Sequence, residues 1–409
     1  MGAFSIFTDK KKKKAQNSVP TVEEYYIKLA RRTTLAKFIC IMLIGSFVLF
    51  SFSANKEELT IENFRYMLKF ADFGAETVEE TASVVYFDSD SENAGALMRG
   101  DLAVLNNSGL KVYSFNGKKL LSSSFKYDYP RMLSNNKNIY TYDIGGSELR
   151  IFSSYSLLYS ETFGYPIYGV SVSENGGFAV VTSAKGYRNS FYVYDEYYRV
   201  IYKYFSAEKY IDCISLSADG KEAVTLLHYS KSGEIVTLLM KFSVDKEEPV
   251  FQAEFNDELP LQVSYMSDGS YAVLTSKSLR FYSSENIASD EIIFGEKSLL
   301  GYEFCNNYAI ITYNTIGLSA GTELDVYAKD GTLVAVRRYE GALLDKKIYA
   351  DNLYVLTHGA LSMVDLSGKD EDKMTVVDNE FRDIILDNES IVLFSDNKAE
   401  YFKNAGVGG

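Results

Sequence analysis

A short pattern recurs along most of this 409-residue chain: an apolar residue, any residue, an apolar residue and an aromatic residue. Successive copies end 37 to 48 positions apart, about 41 on average. A period near 40 in a chain of short strands is typical of β-propellers, in which each repeat forms a four-stranded blade. The clear copies are residues 110–113, 149–152, 191–194, 279–282 and 324–327, and the weaker ones are 239–242, 361–364 and 399–402.

An apolar segment that predicts a buried strand lies upstream of each copy. Turn residues come before these upstream segments. The composition agrees, because 33 Tyr and 26 Phe favour strands and only 5 Pro interrupt them. Residues 81–409 are long enough for eight units of about 41 residues. The predicted second strands are residues 102–105, 139–142, 178–181, 223–226, 271–274, 308–311, 353–356 and 391–394.

The last unit lacks residues for a fourth strand, because only seven residues follow Phe402. Residues 84–87 form a strand signal with no blade of their own. We expect this segment to complete the last blade, so that the ring closes between the two ends of the domain. The predicted fold is therefore an all-β, eight-bladed propeller, or a seven-bladed one if a weak copy is not a true unit.

The N-terminal region differs sharply in charge from the rest. The net charge of the chain is -13, yet residues 1–37 carry nine basic and three acidic residues. Residues 38–54 contain no charge, which is near the minimum length for a bilayer span. The basic flank predicts a cytoplasmic tail (1–37), a transmembrane helix (38–54), a juxtamembrane helix and linker (55–82) and an extracytoplasmic propeller (83–405).

Two points about this N-terminal region stay open. A small-residue triplet at residues 51–53 would suit cleavage of a signal peptide, although the 37-residue leader suits an uncleaved anchor better. The run Lys10 to Lys14 either contacts anionic lipid or only sets the orientation of the helix.

The repeat and its strand rhythm resemble WD40-like and quinoprotein-like propellers. With the basic tail and the single span, the chain is more closely similar to a family of Gram-positive bacterial proteins of unknown function. That resemblance implies a membrane location and a propeller fold, and it assigns no functional residue.

The sequence argues against several chemistries. The net negative charge of the chain argues against binding to the phosphates of nucleic acid. The two His residues, 130 positions apart, argue against a zinc site, which needs three or four protein ligands. The absence of Trp from the sequence disfavours a quinone-dependent propeller dehydrogenase, so we expect no cofactor. Neither His lies near both a nucleophile and a carboxylate in the sequence. The two Asp-Gly turns at 219–220 and 268–269 resemble sialidase Asp boxes only loosely and suit tight hairpins.

Two binding surfaces remain as predictions. Long loops at residues 182–190, 227–236 and 312–322 would gather basic and aromatic side chains on one rim, where they either bind a ligand or are merely polar loop residues. The first strand of each blade would line a central channel, whose charged residues either bind a small polar ligand or pair with one another. The rim residues are Lys185, Tyr187, Arg188, His228, Tyr229, Lys231, Tyr313, Asn314 and His358. The channel residues are Arg131, Tyr168, Asp212, Gln262, Asp345 and Arg382.

These features predict a non-catalytic recognition module that binds an envelope protein or a cell-wall component near the membrane. Two alternatives stay open. One is a hydrolase or lyase that acts on a glycan at the rim, and the other is a structural scaffold of a membrane complex.

Overall fold

The computed structural model describes residues 84–88, 92–135, 137–305, 307–315, 321–368, 372–387 and 390–403, together with isolated helical positions between Thr33 and Ser46. The chain divides into two units, residues 1–77 and 78–409. The predicted tail, most of the predicted span and the predicted juxtamembrane helix lie outside the described residues. Among the residues that are described, no helix combines the length and the apolar character needed to cross a membrane.

The second unit is an eight-bladed β-propeller made of eight four-stranded antiparallel sheets. In every blade the strands are called a to d from the channel outward. Blade 1 contains β2 (Ala94–Met98), β3 (Asp101–Asn106), β4 (Gly109–Tyr113) and β5 (Lys119–Ser124). Blade 2 contains β6 (Pro130–Ser134), β7 (Ile139–Asp143), β8 (Glu148–Phe152) and β9 (Leu157–Thr162). Blade 3 contains β10 (Ile167–Val172), β11 (Phe178–Ala184), β12 (Tyr187–Tyr194) and β13 (Val200–Ser206). Blade 4 contains β14 (Tyr210–Leu216), β15 (Glu222–Lys231), β16 (Glu234–Ser243) and β17 (Phe251–Asn256).

The second half of the ring repeats this order. Blade 5 contains β18 (Pro260–Tyr265), β19 (Tyr271–Thr275), β20 (Ser278–Tyr282) and β21 (Ile292–Ile293). Blade 6 contains β22 (Ser298–Phe304), β23 (Tyr308–Thr315), β24 (Gly321–Ala328) and β25 (Leu333–Glu340). Blade 7 contains β26 (Asp345–Tyr349), β27 (Asn352–Thr357), β28 (Ala360–Asp365) and β29 (Lys373–Val376). Blade 8 contains β30 (Asp383–Asp387), β31 (Ser390–Phe394), β32 (Lys398–Lys403) and, from the other end of the domain, β1 (Val84–Tyr86).

The sequence prediction of the blades is confirmed. Each copy of the four-residue pattern lies in a strand c, and each upstream apolar segment lies in a strand b. The predicted closure is also confirmed, because β1 is the outer strand of blade 8, with Val84 opposite Glu400 and Tyr86 opposite Lys398. The eight units are real, so the seven-bladed alternative is wrong.

The core consists of eight apolar clusters, each shared by two adjacent blades. Alternate residues of one strand point to opposite neighbours. In β11, Phe178 and Val180 pack toward blade 2, whereas Ala179 and Val181 pack toward blade 4. This is why strands b and c read as nearly continuous apolar runs rather than as alternating ones.

Blades 8 and 1 approach each other closely at Gly95 in β2. A Cβ atom placed there would lie 2.5 Å from the Ile385 side chain and 2.8 Å from the Phe394 ring. Glycine at this position therefore allows the last interface of the ring to close.

A buried ion pair fixes the connection between blades 4 and 5. Arg280 donates to Glu258 through two hydrogen bonds of 2.9 and 2.7 Å, and Ser278 donates a third at 3.0 Å. Burial alone would raise the pKa of Glu258, but the hydrogen bonds and charge of Arg280 outweigh it and hold that pKa below its usual value. The pair thus stabilises the folded state only while Glu258 is ionised.

We expect closure to depend on the buried side of β1. Val85 is 1% exposed and packs in the cluster between blades 8 and 1, whereas its neighbour Tyr86 is 71% exposed. Val85→Asp should lower the free energy of unfolding by about 3 kcal/mol, because it buries an unpaired carboxylate. Tyr86→Asp is the matched control and should change it by less than about 0.5 kcal/mol. Urea unfolding measures both, and equal effects would contradict closure through β1.

We expect Glu258→Gln to lower the free energy of unfolding by about 2 kcal/mol at pH 7, since it weakens a buried charged pair. The pKa of Glu258 is lowered in the folded state, so its contribution is complete above the unfolded value of about 4.5 and is lost as the pH falls through the folded value. The difference between wild type and variant should therefore shrink in urea unfolding below pH 4.5. A difference that stays constant down to pH 2.5 would contradict a stabilisation that depends on the ionised Glu258 carboxylate, and the exposed Glu248→Gln is the control.

Candidate functional site

The b–c turns and the d–a connections of all blades meet on one face of the propeller, which we call the b–c face. In blades 3 and 4, strands b and c extend up to short turns on this face, where the sequence predicted long loops. Residues 182–190 and residues 227–236 each consist mostly of paired strand around a two-residue turn, in β11 and β12 and in β15 and β16 respectively. In blade 6, residues 312–315 and 321–322 are also strand. These segments are strands because strands b and c stay paired along them. In blade 4 the pairing of β15 with β16 extends as far as Lys231 opposite Glu234.

Four polar and aromatic side chains form a ladder across blades 3 and 4 on this face. The guanidinium of Arg188 lies 4.9 Å from the Tyr210 ring and donates to its hydroxyl. The Tyr210 ring stacks on His228, with ring centres 5.2 Å apart, because these two residues are register partners in β14 and β15. The His228 Nδ1 lies 2.7 Å from the Asp212 Oδ2. The ladder joins a predicted channel residue, Asp212, to the predicted rim residues Arg188 and His228.

The pairing of His228 with Asp212 was not predicted from the sequence. The structure brings Asp212 and His228 together across two strands, although they are 16 residues apart. Burial raises the pKa of Asp212, and its hydrogen bond to His228 offsets part of that rise. A carboxylate on Nδ1 orients the imidazole and leaves Nε2 as its other polar atom.

An exposed group of aromatic rings includes Tyr210 of the ladder together with residues of blade 3 and of the connection that precedes it. We call these rings the aromatic patch, and each is between 40 and 46% exposed. The Tyr187 and Phe205 rings lie 5.0 Å apart, and the Tyr168 hydroxyl lies 3.1 Å from the Ser183 hydroxyl. The patch consists of Tyr165, Tyr168, Tyr187, Phe205 and Tyr210.

Sequence reasoning missed Tyr165, Phe205 and Tyr210 in this patch. The predicted rim residues came from the b–c hairpins, whereas these three residues lie in or beside the d–a connections, which end on the same face. Aligning the d–a connections of the repeats would have placed them there.

The other predicted rim residues do not join the ladder. The Tyr229 hydroxyl donates to Glu254 at 2.7 Å, and Lys231 lies 3.5 Å from the same carboxylate, so both are tied within blade 4. Tyr313 is only 2% exposed and packs against Phe294, so its prediction as a rim contact is wrong. Its position in the middle of a doubly buried strand explains the burial. The remaining rim residues Lys185, Asn314 and His358 are exposed on their own blades.

The predicted channel residues are dispersed, and most of their contacts are internal. Arg382 pairs with Asp396 and donates to the Asn93 carbonyl. Asp345 accepts from the Ile384 backbone N–H at 2.8 Å, which ties blade 7 to blade 8. Arg131 donates to the carbonyl of its neighbour Pro130. Gln262 is half-buried, whereas Tyr168 belongs to the aromatic patch.

The channel holds a cavity of about 510 Å³ toward the opposite face, at the a–b turns. Its walls come from the strands a of blades 1, 7 and 8 and from the a–b turn of blade 6. Two charged residues line it: Lys347, which pairs with Glu303 of blade 6, and Asp351, which accepts a hydrogen bond from the Tyr308 hydroxyl. Burial raises the pKa of Glu303 despite that lysine, and burial likewise raises the pKa of Asp383 in blade 8. The sequence predicted a central channel lined by strands a but missed Lys347 and Glu303, because these two residues belong to different repeats.

The fold and its eight closed blades define a β-propeller of the WD40-like and quinoprotein-like kind. The chain belongs to the DUF5711 family, a family of unknown function whose model matches residues 76–403. None of the curated proteins compared with this sequence matches it.

Several solved propellers share the fold at low sequence identity. Sqt1 of Saccharomyces cerevisiae is 12% identical and has a TM-score of 0.55, covering 80% of this chain and 99% of that one. The Dos1 propeller is 11% identical with a TM-score of 0.55, covering 81% and 96%. BamB from Moraxella catarrhalis is 9% identical with a TM-score of 0.50, covering 79% and 99%. These likenesses show the fold, which is one that binding modules use.

We expect the Lys347–Glu303 pair to stabilise the channel as a unit. Lys347→Met should lower the free energy of unfolding by about 2 kcal/mol, because it leaves the Glu303 carboxylate partly buried without its cation. Adding Glu303→Gln to that variant should restore part of the loss, since the unpaired charge is removed. Urea unfolding of the two single variants and the double variant forms the cycle. Strictly additive effects would contradict the pairing.

Proposed function

We propose that this chain is a membrane-anchored protein whose extracytoplasmic propeller recognises an envelope protein or a cell-wall component. The basic tail and the uncharged segment at residues 38–54 support the anchor and its orientation. The binding surface is the aromatic patch with Arg188, on the b–c face of blades 3 and 4. The observation that carries the proposal is this exposed group of five rings, one of which, Tyr210, stacks with the Arg188 guanidinium.

Physical reasons favour recognition at this surface. Tyr and Arg side chains supply most of the binding energy at protein interfaces, because their large rigid groups exclude water while still forming hydrogen bonds. The rings of the patch are already held in place by internal contacts, as Arg188 holds Tyr210 and Phe205 contacts Tyr187. A surface ordered before binding loses little conformational entropy when a partner docks.

The test compares three full-length proteins in their native membrane. One is wild type, one carries Tyr187→Ala, Arg188→Ala and Tyr210→Ala, and the control carries Tyr86→Ala, Ile293→Ala and Val376→Ala. The control residues are exposed apolar or aromatic side chains of outer strands in other blades. Binding is measured by crosslinking to envelope proteins and by sedimentation with purified cell-wall polymer.

We expect the patch variant to lose at least tenfold in affinity for one of these two ligand classes, with the control and the melting temperature unchanged. Equal binding by the patch variant and the control would contradict the proposal. Loss of function after exchange of residues 38–54 for an unrelated span, with the patch intact, would favour the scaffold alternative.

A glycan-acting hydrolase or lyase is the second candidate, and the channel rather than the rim supports it. Glu303 and Asp383 are two carboxylates with raised pKa values on the innermost strands of blades 6 and 8. Acid-base cleavage of a glycan uses two carboxylates, one of which must be protonated. Glu303→Gln and Asp383→Asn should each abolish any cleavage of cell-wall glycan, and they should leave binding at the aromatic patch unchanged.

A further inference from the structure

A side groove of about 280 Å³ lies between blades 2 and 3, away from the channel. One wall is the outer strand β9 with the connection that follows it, and the other wall is formed by β12 and β13. The groove has one carboxylate, Glu161, and four aromatic residues, Phe163, Tyr165, Tyr192 and Tyr194, among its lining residues, and Tyr165 also belongs to the aromatic patch.

The Glu161 carboxylate is held by neutral donors instead of a cation. The Tyr159 hydroxyl donates to its Oε2 at 2.6 Å, and the Tyr194 hydroxyl is a second donor. Burial, together with this carboxylate, raises the pKa of Tyr194, so both tyrosines remain protonated donors. Among the residues that the structure describes, Glu161 has no lysine or arginine as an ion-pair partner. Its negative charge is therefore available to a ligand in the groove.

The aromatic walls are rigid. The Tyr194 ring stacks on Phe178 with centres 4.4 Å apart and an interplanar angle of 6°, and Phe163 meets Tyr194 edge-on at 6.5 Å. Tyr159 is fixed in the same way by stacking on Tyr198 at 4.7 Å. Such rings present negative faces that attract cations without moving.

The protein places one cation of its own at this groove. The Lys203 Nζ lies 5.7 Å from the centre of the Tyr192 ring, within the distance at which an ammonium interacts with an aromatic face. Lys203 is exposed on the outer strand β13, so its side chain can leave the groove at little cost.

We propose that this groove binds a small quaternary ammonium group of the choline type, with the charge facing Glu161 and the methyl groups against the half-buried rings of Tyr192 and Phe163. The hydrogen bonds from Tyr159 and Tyr194 occupy part of the carboxylate's accepting capacity. A primary ammonium needs acceptors for three N–H groups, whereas a quaternary one needs none. Lys203 acts as an internal competitor that a ligand displaces.

The probe is choline, titrated calorimetrically into the full-length protein in detergent. Ethanolamine tests the primary ammonium, and 3,3-dimethyl-1-butanol is the uncharged analogue with the shape of choline. We expect choline to bind at least fivefold more tightly than either one. Glu161→Gln should weaken choline binding at least fivefold, and Lys203→Met should strengthen it about threefold because the competitor is gone.

Two further variants keep the test decisive. Tyr192→Leu removes an aromatic wall without touching the carboxylate, and it should also weaken binding if Glu161→Gln fails to fold. Lys119→Met removes an exposed lysine from the outer strand of blade 1 and should leave choline affinity unchanged. The triple variant of the aromatic patch should leave it unchanged too, so failure here and failure of the proposed recognition surface can be told apart.

Three results would overturn the proposal. The first is equal affinity for choline and its uncharged analogue. The second is unaltered choline binding in both Glu161→Gln and Tyr192→Leu. The third is a Lys203→Met variant that binds choline no better than the Lys119→Met control.

Discussion

The pairing of β1 with β32 is the interaction on which the rest of this structure depends. Every apolar cluster of the core is shared by two blades, so no blade buries both of its faces alone. Without β1, the edge of β32 would be open and the cluster between blades 8 and 1 would lose Val85. Joining the two ends of the domain in one sheet makes the ring a single cooperative unit, and it fixes the angular positions of all the connections on the b–c face.

The sequence predicted the parts of the fold that this geometry constrains most. Strands b and c lie between two neighbouring blades, so their residues are apolar on both sides and the repeat is visible without alignment. Outer strands and hairpin lengths are less constrained, since one side faces solvent. That is why residues 182–190 read as a loop although most of them are paired strand. Tyr313 was misplaced because β23 continues past the point where the sequence predicted a loop, so its ring is buried within a paired strand.

The candidate sites were predictable only in part, because each of them joins different repeats. His228 and Asp212 meet through the pairing of β14 with β15, and Lys347 reaches Glu303 across the boundary between blades 6 and 7. A single sequence identifies the strands of each repeat, but it does not show which residues of neighbouring strands and blades lie next to one another. The groove at Glu161 is a further case, as Tyr192 and Tyr194 come from blade 3, whereas Glu161 comes from blade 2 and Phe163 from the connection that follows it. Both the aromatic patch and this groove include residues of blade 3 and use rings held by internal contacts.

The central functional claim is that partners dock on the b–c face of blades 3 and 4. The most direct measurement is a photocrosslinking scan in intact cells, with a photoreactive phenylalanine placed singly at Tyr187, Phe205, Glu174 or Lys221. The first two positions lie on the b–c face, and the last two lie in or beside the a–b turns of the same blades. The account predicts crosslinks to an envelope component from Tyr187 and Phe205 only. Crosslinks of equal yield from Glu174 and Lys221, or from these two positions alone, would contradict it.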